Sequence, residues 1–200
     1  MTTTMWPRPD EKPEVQRAER GWLPVVWVLA SLLVIVVGGY VTAGALSEPA
    51  GPPMRVARVV QIQPLSGWSF AERGTVCPGG PQFARLTRGG GSIDVAAYPG
   101  AGGTAEELAI TYRRELEQCE LTRLSVSSSL EPVRTASGLQ GVRFTYSGLV
   151  PKTGTSIDGE VTVIVSSAGN GAAFDGWAPA GLLSYASGDI NTMIDEAVVA

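Results

Sequence analysis

Cys77 and Cys119 are the only cysteines in 200 residues. They can form one internal disulfide but not a four-cysteine metal site. Four acids, Asp94, Asp158, Glu160 and Asp175, are the candidates for carboxylate chemistry, which needs two such groups facing one cleft about 5–10 Å apart. Asp158 and Glu160 stand two apart, so on a strand they share one face. As a pair they could do acid–base work or hold calcium. Two ligands without an Asp/Asn-rich loop are too few for a dedicated calcium site, and a solvated strand-turn edge is expected for them. Lys152 is the one lysine that could activate a serine. It lies in the turn-like Pro151-Lys152-Thr153-Gly154-Thr155, where nothing buries it to lower its pKa. Gly100-Ala101-Gly102-Gly103-Thr104 leads into a helix start, and such ends can bind anions. It lacks the lysine of a phosphate loop and the dinucleotide glycine spacing, and Glu106 and Glu107 would repel an anion. Trp68, Phe70, Phe174 and Trp177 can line a ligand groove or serve as core. Trp177, in the loop-like Trp177-Ala178-Pro179-Ala180-Gly181, is the better surface candidate. With no histidine anywhere, His nucleophile activation, His proton shuttles and His metal sites are excluded. With 15 Lys+Arg against 19 Asp+Glu, the chain is mildly acidic, which argues against nucleic acid as the partner. The candidate ligand or partner surface is therefore Trp68, Trp177, Asp158 and Glu160, with no catalytic set, no metal ligands and no cofactor.

The elements that must position these residues alternate in period. Val56 to Gln63 and Trp68 to Glu72 read as two strands around Pro64-Leu65-Ser66-Gly67. Gln82 to Arg88 and Ser92 to Tyr98 form a hairpin through Gly89-Gly90-Gly91, which can supply positive φ. Thr104 and Glu107 make a capping box. Ala105, Leu108, Ala109, Tyr112, Leu116 and Cys119 then recur at helical spacing over about four turns, with Arg113 and Glu117 on the wet side at i,i+4. Strand patterns return at Arg123 to Leu130, Val142 to Leu149, Gly159 to Ser166 and Gly171 to Trp177. A last helix starts near Asp189, a good cap residue, with Ile190, Met193, Ile194, Ala197 and Val198 as its apolar stripe. Strands, helix, strands, helix predict an α+β domain, an antiparallel sheet flanked by helices.

The N-terminal part has different chemistry. No charged residue occurs from Gly21 to Ser47. Leu23 to Val41 would span roughly 28 Å as a helix, close to the ~30 Å hydrocarbon core of a bilayer. Trp22, Trp27 and Tyr40 lie near its ends, where amphipathic rings favour the interface. Arg8, Lys12, Arg17 and Arg20 precede it, and no Lys or Arg follows before Arg55. The positive-inside rule then places the N-terminus in the cytoplasm and the C-terminal domain outside. The expected organisation is a disordered cytoplasmic tail (1–21), a transmembrane helix in the lipid bilayer (22–41), a Pro/Gly/Ala linker (42–54) and an extracytoplasmic domain (55–200). The alternative is a secretory signal cleaved after Ala45, at the small-x-small Ala43-Gly44-Ala45. Both place the cysteines where thiols oxidise. A Cys77–Cys119 bridge would contribute roughly 4 kcal/mol in the chain-entropy model; the other reading is two separate buried thiols.

Several segments resemble a known family. Gly67-Trp68-Ser69-Phe70 opens the domain and a capped helix follows the second hairpin. Gly141-Val142-Arg143-Phe144-Thr145-Tyr146, Gly159-Glu160-Val161-Thr162-Val163 and Ala172-Ala173-Phe174-Asp175-Gly176-Trp177 come after it. Together they are similar to the PsbP-like superfamily, which includes extrinsic photosystem subunits and LpqN-type envelope lipoproteins. The resemblance covers about residues 55–200 and rests on aromatic–glycine strand patterns. It implies a sheet flanked by helices and a role in binding proteins or ligands. The photosystem metal-associated roles do not carry over to a chain without histidine. Thirteen Arg against two Lys, with abundant Ala and Gly, also resemble an actinobacterial protein of high-GC coding. The expected function is a non-catalytic, membrane-anchored interaction domain at the cell envelope, its partner an envelope protein or a small ligand. The alternative is an envelope-acting enzyme using paired carboxylates.

Overall fold

A two-residue turn organises the sheet. Gly89, at φ 57°, and Gly90 join β4 (Gln82–Arg88) to β5 (Gly91–Tyr98). That turn fixes Arg88 opposite Gly91 and therefore Arg85 opposite Asp94. The computed structural model describes residues 51–200. The expected tail (1–21), the expected transmembrane helix (22–41) and residues 42–50 of the expected linker lie outside the described residues. Among the described residues, no helix is long and apolar enough to cross a membrane.

The other strands are β1 (Met54–Val56), β2 (Val60–Ile62), β3 (Ser69–Thr75), β6 (Thr122–Val126), β7 (Glu131–Arg134), β8 (Gln140–Val150), β9 (Thr155–Val165), β10 (Gly171–Pro179) and β11 (Val198–Val199). The main sheet runs β3-β4-β5-β10-β9-β8-β6. β7 pairs with one half of β8 and β6 with the other. Every pairing is antiparallel. Two helices cover it, α1 (Ala105–Glu115) and α2 (Leu183–Asp195). A small sheet, β1-β2-β11, closes the α2 side.

Strand alternation divides the core into two layers. Ile93, Val95, Ala172 and Phe174 pack with Ile190, Met193 and Ile194 of α2. Ala96, Ala173, Phe144, Val161 and Val163 pack with Leu108, Ala109 and Tyr112 of α1. Because both faces are covered, the central strands are buried throughout: seven of the eight residues of β5 are buried. This is the α+β architecture expected from the sequence.

The Thr104 capping box is present. The Thr104 N–H donates to Glu107 Oε2 at 2.9 Å, and the Glu107 N–H to Thr104 Oγ1 at 3.2 Å. The expected four-turn helix is shorter, because Leu116–Glu120 widens into a π-helical turn. From that turn on the helical register changes, and Arg113 lies 5.6 Å over the Phe144 ring rather than pairing with Glu117. The turn presents Cys119, which is bonded to Cys77 across 42 residues.

Other expectations are corrected. Val56 to Gln63 is not one strand but the tight β1–β2 hairpin. Ala57 and Arg58 take φ of 47° and 60°, the left-handed pair that a primed turn requires, and the expected linker ends early because Met54 already pairs with Ile62. α2 starts at Leu183, so Asp189 is no cap but a mid-helix residue. It accepts the Trp68 indole N–H at 2.9 Å and pairs with Arg88. Trp68 is thereby buried in the α2-side core, and its ring offers no face to a partner. Trp177 lies in β10 rather than a loop. Asp158 and Glu160 lie within β9, between β8 and β10, rather than at a turn edge.

The disulfide ties β3's end to the close of the first helix, so Cys119→Ser should lower unfolding free energy by roughly 2–4 kcal/mol. Urea unfolding of the oxidised chain measures this. An unchanged midpoint, or a loss that persists when both proteins are reduced, would contradict the role assigned to the bridge.

Candidate functional site

The α1-facing side chains of β4, β5, β8 and β10 build a polar network inside the core. Asp94 and Asp175 are directly opposite each other on β5 and β10, a spacing that places Cβ atoms about 5 Å apart. Each is almost wholly buried. Arg85 grips Asp94 with two bonds, Nε to Oδ1 at 2.6 Å and a terminal guanidinium nitrogen to Oδ2 at 2.7 Å. The Trp177 indole N–H adds a third at 3.1 Å. Asp175 accepts from the Tyr146 hydroxyl at Oδ1 and the Tyr112 hydroxyl at Oδ2, both at 2.9 Å. No buried side-chain polar atom among the described residues lacks a partner.

Tyr146 reaches Asp175 because its neighbour on β9 is Gly159. The Tyr146 ring lies across the position that a Cβ at 159 would occupy. The phenol therefore crosses one strand to meet an acid on the next.

Above this network lies a pocket of about 420 Å³, lined by Phe83, Arg85, Trp177, Tyr146, Glu120 and Lys152 among others. That volume suits a small ligand or one large side chain. Its wall is stiff. The Arg85 guanidinium sits 5.5 Å from the Phe83 ring and 5.2 Å from the Trp177 ring, and it also bonds Glu72 at 3.3 Å. Glu120, next to the disulfide in the π turn, has its pKa pushed up to about 7 by burial first and by the nearby Asp94 charge second. Burial and the facing Asp94 likewise raise Asp175 well above the carboxylate range. Burial raises Asp94 despite the opposing Arg85 bond. Tyr98, whose hydroxyl donates to Glu115 at 2.5 Å, is held protonated by burial and that bond. The arrangement offers aromatic walls, one fixed cation and one carboxylate that changes charge near neutrality.

The four surface candidates do not come together. Trp177 is half-buried on the pocket wall, while Trp68 is core. Asp158 and Glu160 point to the other side of the sheet, where Asp158 accepts the Gly181 N–H at 2.8 Å and Glu160 pairs with Arg143 at 3.3 Å. Arg85, Tyr146 and Glu120 were not singled out from sequence. Neither Arg85 nor Glu120 was legible: the expected Gly89-Gly90-Gly91 turn would set Arg85 opposite Val95, one residue out of the observed register, and the half-buried position of Glu120 depends on the π turn. Among the described residues, no group of three or more Cys, Asp or Glu side chains is placed to hold a metal ion.

Three solved structures are similar to this chain. One is a protein of Bacteroides thetaiotaomicron, at 12% identity and TM-score 0.49, over 75% of this chain and 48% of that one. This chain thus matches about half of that protein's length. The second is LpqN, involved in cell envelope biogenesis of Mycobacterium tuberculosis, at 11% identity and TM-score 0.48, over 76% and 86%. The third is cyanobacterial PsbP of Synechocystis, at 14% identity and TM-score 0.45, over 74% and 92%. No protein-family model and no curated protein matches the sequence.

Two predictions follow from the geometry. Gly159→Ala should push the Tyr146 ring off Asp175, leave a buried acid short of a donor, and cost about 1–3 kcal/mol or more; a stability within 0.5 kcal/mol of wild type would refute the crossing. Glu120, raised from an ordinary 4.5 to about 7, binds more protons folded than unfolded between those values. Stability from this group is full below about pH 4.5 and falls until about pH 7. Glu120→Gln should therefore be more stable than wild type at pH 8 by about 2 kcal/mol, the gap closing by pH 4.5. A gap that does not depend on pH would exclude the half-buried placement of Glu120 in the pocket wall.

Proposed function

We propose that the chain is a membrane-anchored binding module of the cell envelope, with its C-terminal domain outside the cytoplasm and a protein or small ligand recognised at the Trp177 pocket. One observation carries the binding part. All four oxygens of the buried acids Asp94 and Asp175 are occupied by the protein's own donors. They hold the pocket wall in place and leave no oxygen for a reacting group. The anchoring part rests on the charge-free stretch around 22–41 and the basic residues before it. Release after Ala45 would leave the same domain as a secreted factor.

A second reading has its own support. Glu120 near pH 7, in one pocket with Glu72 and Lys152, has the proton affinity suited to a general acid or base. Under that reading a turnover assay would show an inflection near pH 7 that Glu120→Gln abolishes.

A photo-crosslinking residue at position 152, on the pocket rim, should capture a discrete partner in intact membranes. Trp177→Ala should abolish the adduct. A reporter fused after Ala200 should be active only outside the cytoplasm. Cytoplasmic reporter activity would overturn the topology, and an adduct insensitive to Trp177 would overturn the pocket assignment.

A further inference from the structure

A second cleft, of about 580 Å³, opens on the opposite face of the sheet, where β6, β8 and β9 meet the start of α2. α2 lies over β5, β10 and β9, and beyond it the sheet carries hydroxyls instead of apolar side chains. The registers set Ser125 opposite Ser147, and Ser147 opposite Asp158. This makes one transverse row across three strands, at about 4.8 Å per strand. Thr145 and Ser184 add hydroxyls from the adjoining walls. The hydroxyls of Ser125, Thr145, Ser147 and Ser184 make no hydrogen bond to protein among the described residues. Asp158 Oδ2 accepts the Gly181 N–H, and among the described residues no protein donor reaches Oδ1.

We propose that this cleft binds a neutral polyhydroxylated ligand, a sugar ring or a short run of them. A hydroxyl both donates and accepts, so a row of serines can bond successive ligand hydroxyls whichever way each turns, and a carboxylate oxygen takes the donors left over. No lysine or arginine lines the cleft, and Asp158 repels anions, which disfavours phosphates and carboxylated ligands. Leu183 supplies apolar contact for the C–H face of a ring. Tyr185, the neighbour of Ser184 in the first turn of α2, is 86% exposed, the kind of side chain on which a sugar ring stacks. The cleft is separate from the Trp177 pocket, and neither reading needs the other.

The test uses the full chain in nanodiscs. Maltohexaose and cellohexaose are titrated by calorimetry, and pelleting with insoluble cellulose and with starch granules is scored alongside. Hexasaccharide binding without pelleting identifies free sugar as the ligand source; pelleting with a polymer identifies a glycan chain. In either case Ser147→Val and Tyr185→Ala should weaken binding about tenfold, a loss of about 1.4 kcal/mol. Asp158→Asn, which keeps an acceptor for the Gly181 N–H, should do so with the fold intact. Absence of binding to all four glycans, or binding that Ser147→Val and Asp158→Asn leave unchanged, would overturn the proposal.

Discussion

Two carboxylates face each other on the central strands, and much of the domain is arranged around them. Like charges directly opposite in a sheet would repel; burial and the facing Asp94 favour the neutral form of Asp175, and a buried acid short of hydrogen-bond partners remains costly. Asp94 and Asp175 are held by donors from separate elements: Arg85 from β4, Trp177 from β10, Tyr146 from β8 and Tyr112 from α1. Satisfying the pair therefore fixes where α1 lies on the sheet, why β9 carries a glycine at 159, and how the guanidinium of Arg85 comes to rest between two aromatic rings. An apolar pair in the same places could be as stable. The directional bonds add a constraint that apolar packing lacks, since only one seating of α1 brings the Tyr112 hydroxyl to Asp175.

Legibility in the sequence followed how local each determinant was. The glycine hairpin, the Thr104 capping box and the apolar stripe through Leu108, Ala109 and Tyr112 are set by residues within a few positions of one another, and all three are present, although Gly91 belongs to β5 rather than to the turn and shifts the hairpin register by one residue. The start of α2 was missed because Asp189 is a good cap in isolation. Its carboxylate is instead claimed by Trp68 and Arg88, more than a hundred residues earlier in the chain for each. The β1–β2 turn was missed because its left-handed residues are alanine and arginine, not glycine. The two buried acids were visible as acids but not as buried ones. Alternation marks Asp94 as facing away from Ile93 and Val95, and only the helix on that second face makes the position interior.

The same nonlocality explains the candidate site. Arg85 and Trp177 meet because β5 lies between their strands and Asp94 bonds both. Cys119 and Glu120 reach the pocket only because the first helix widens at Leu116 and is held to Cys77. No sequence window contains more than a fraction of this arrangement. The four residues first singled out divide between the two faces of the sheet for a simple reason: residues of the same type carry no information about which side of a strand they occupy until register is known.

A wall this thoroughly bonded bears on how the pocket works. Arg85 makes two bonds to Asp94, one to Glu72 and two ring contacts, so it has little rotamer freedom left to lose when a ligand arrives. The ordering cost of an interface side chain, about 0.5–1.5 kcal/mol each, is for Arg85 already met in the fold. Lys152, on the exposed β8–β9 turn, and Glu120, whose charge varies near neutrality, are the parts left to respond. Recognition would then divide between a rigid aromatic–guanidinium wall that selects shape and an adjustable rim that sets charge. A ligand bringing positive charge beside Glu120 would favour its ionised form, whereas an apolar one would favour the proton.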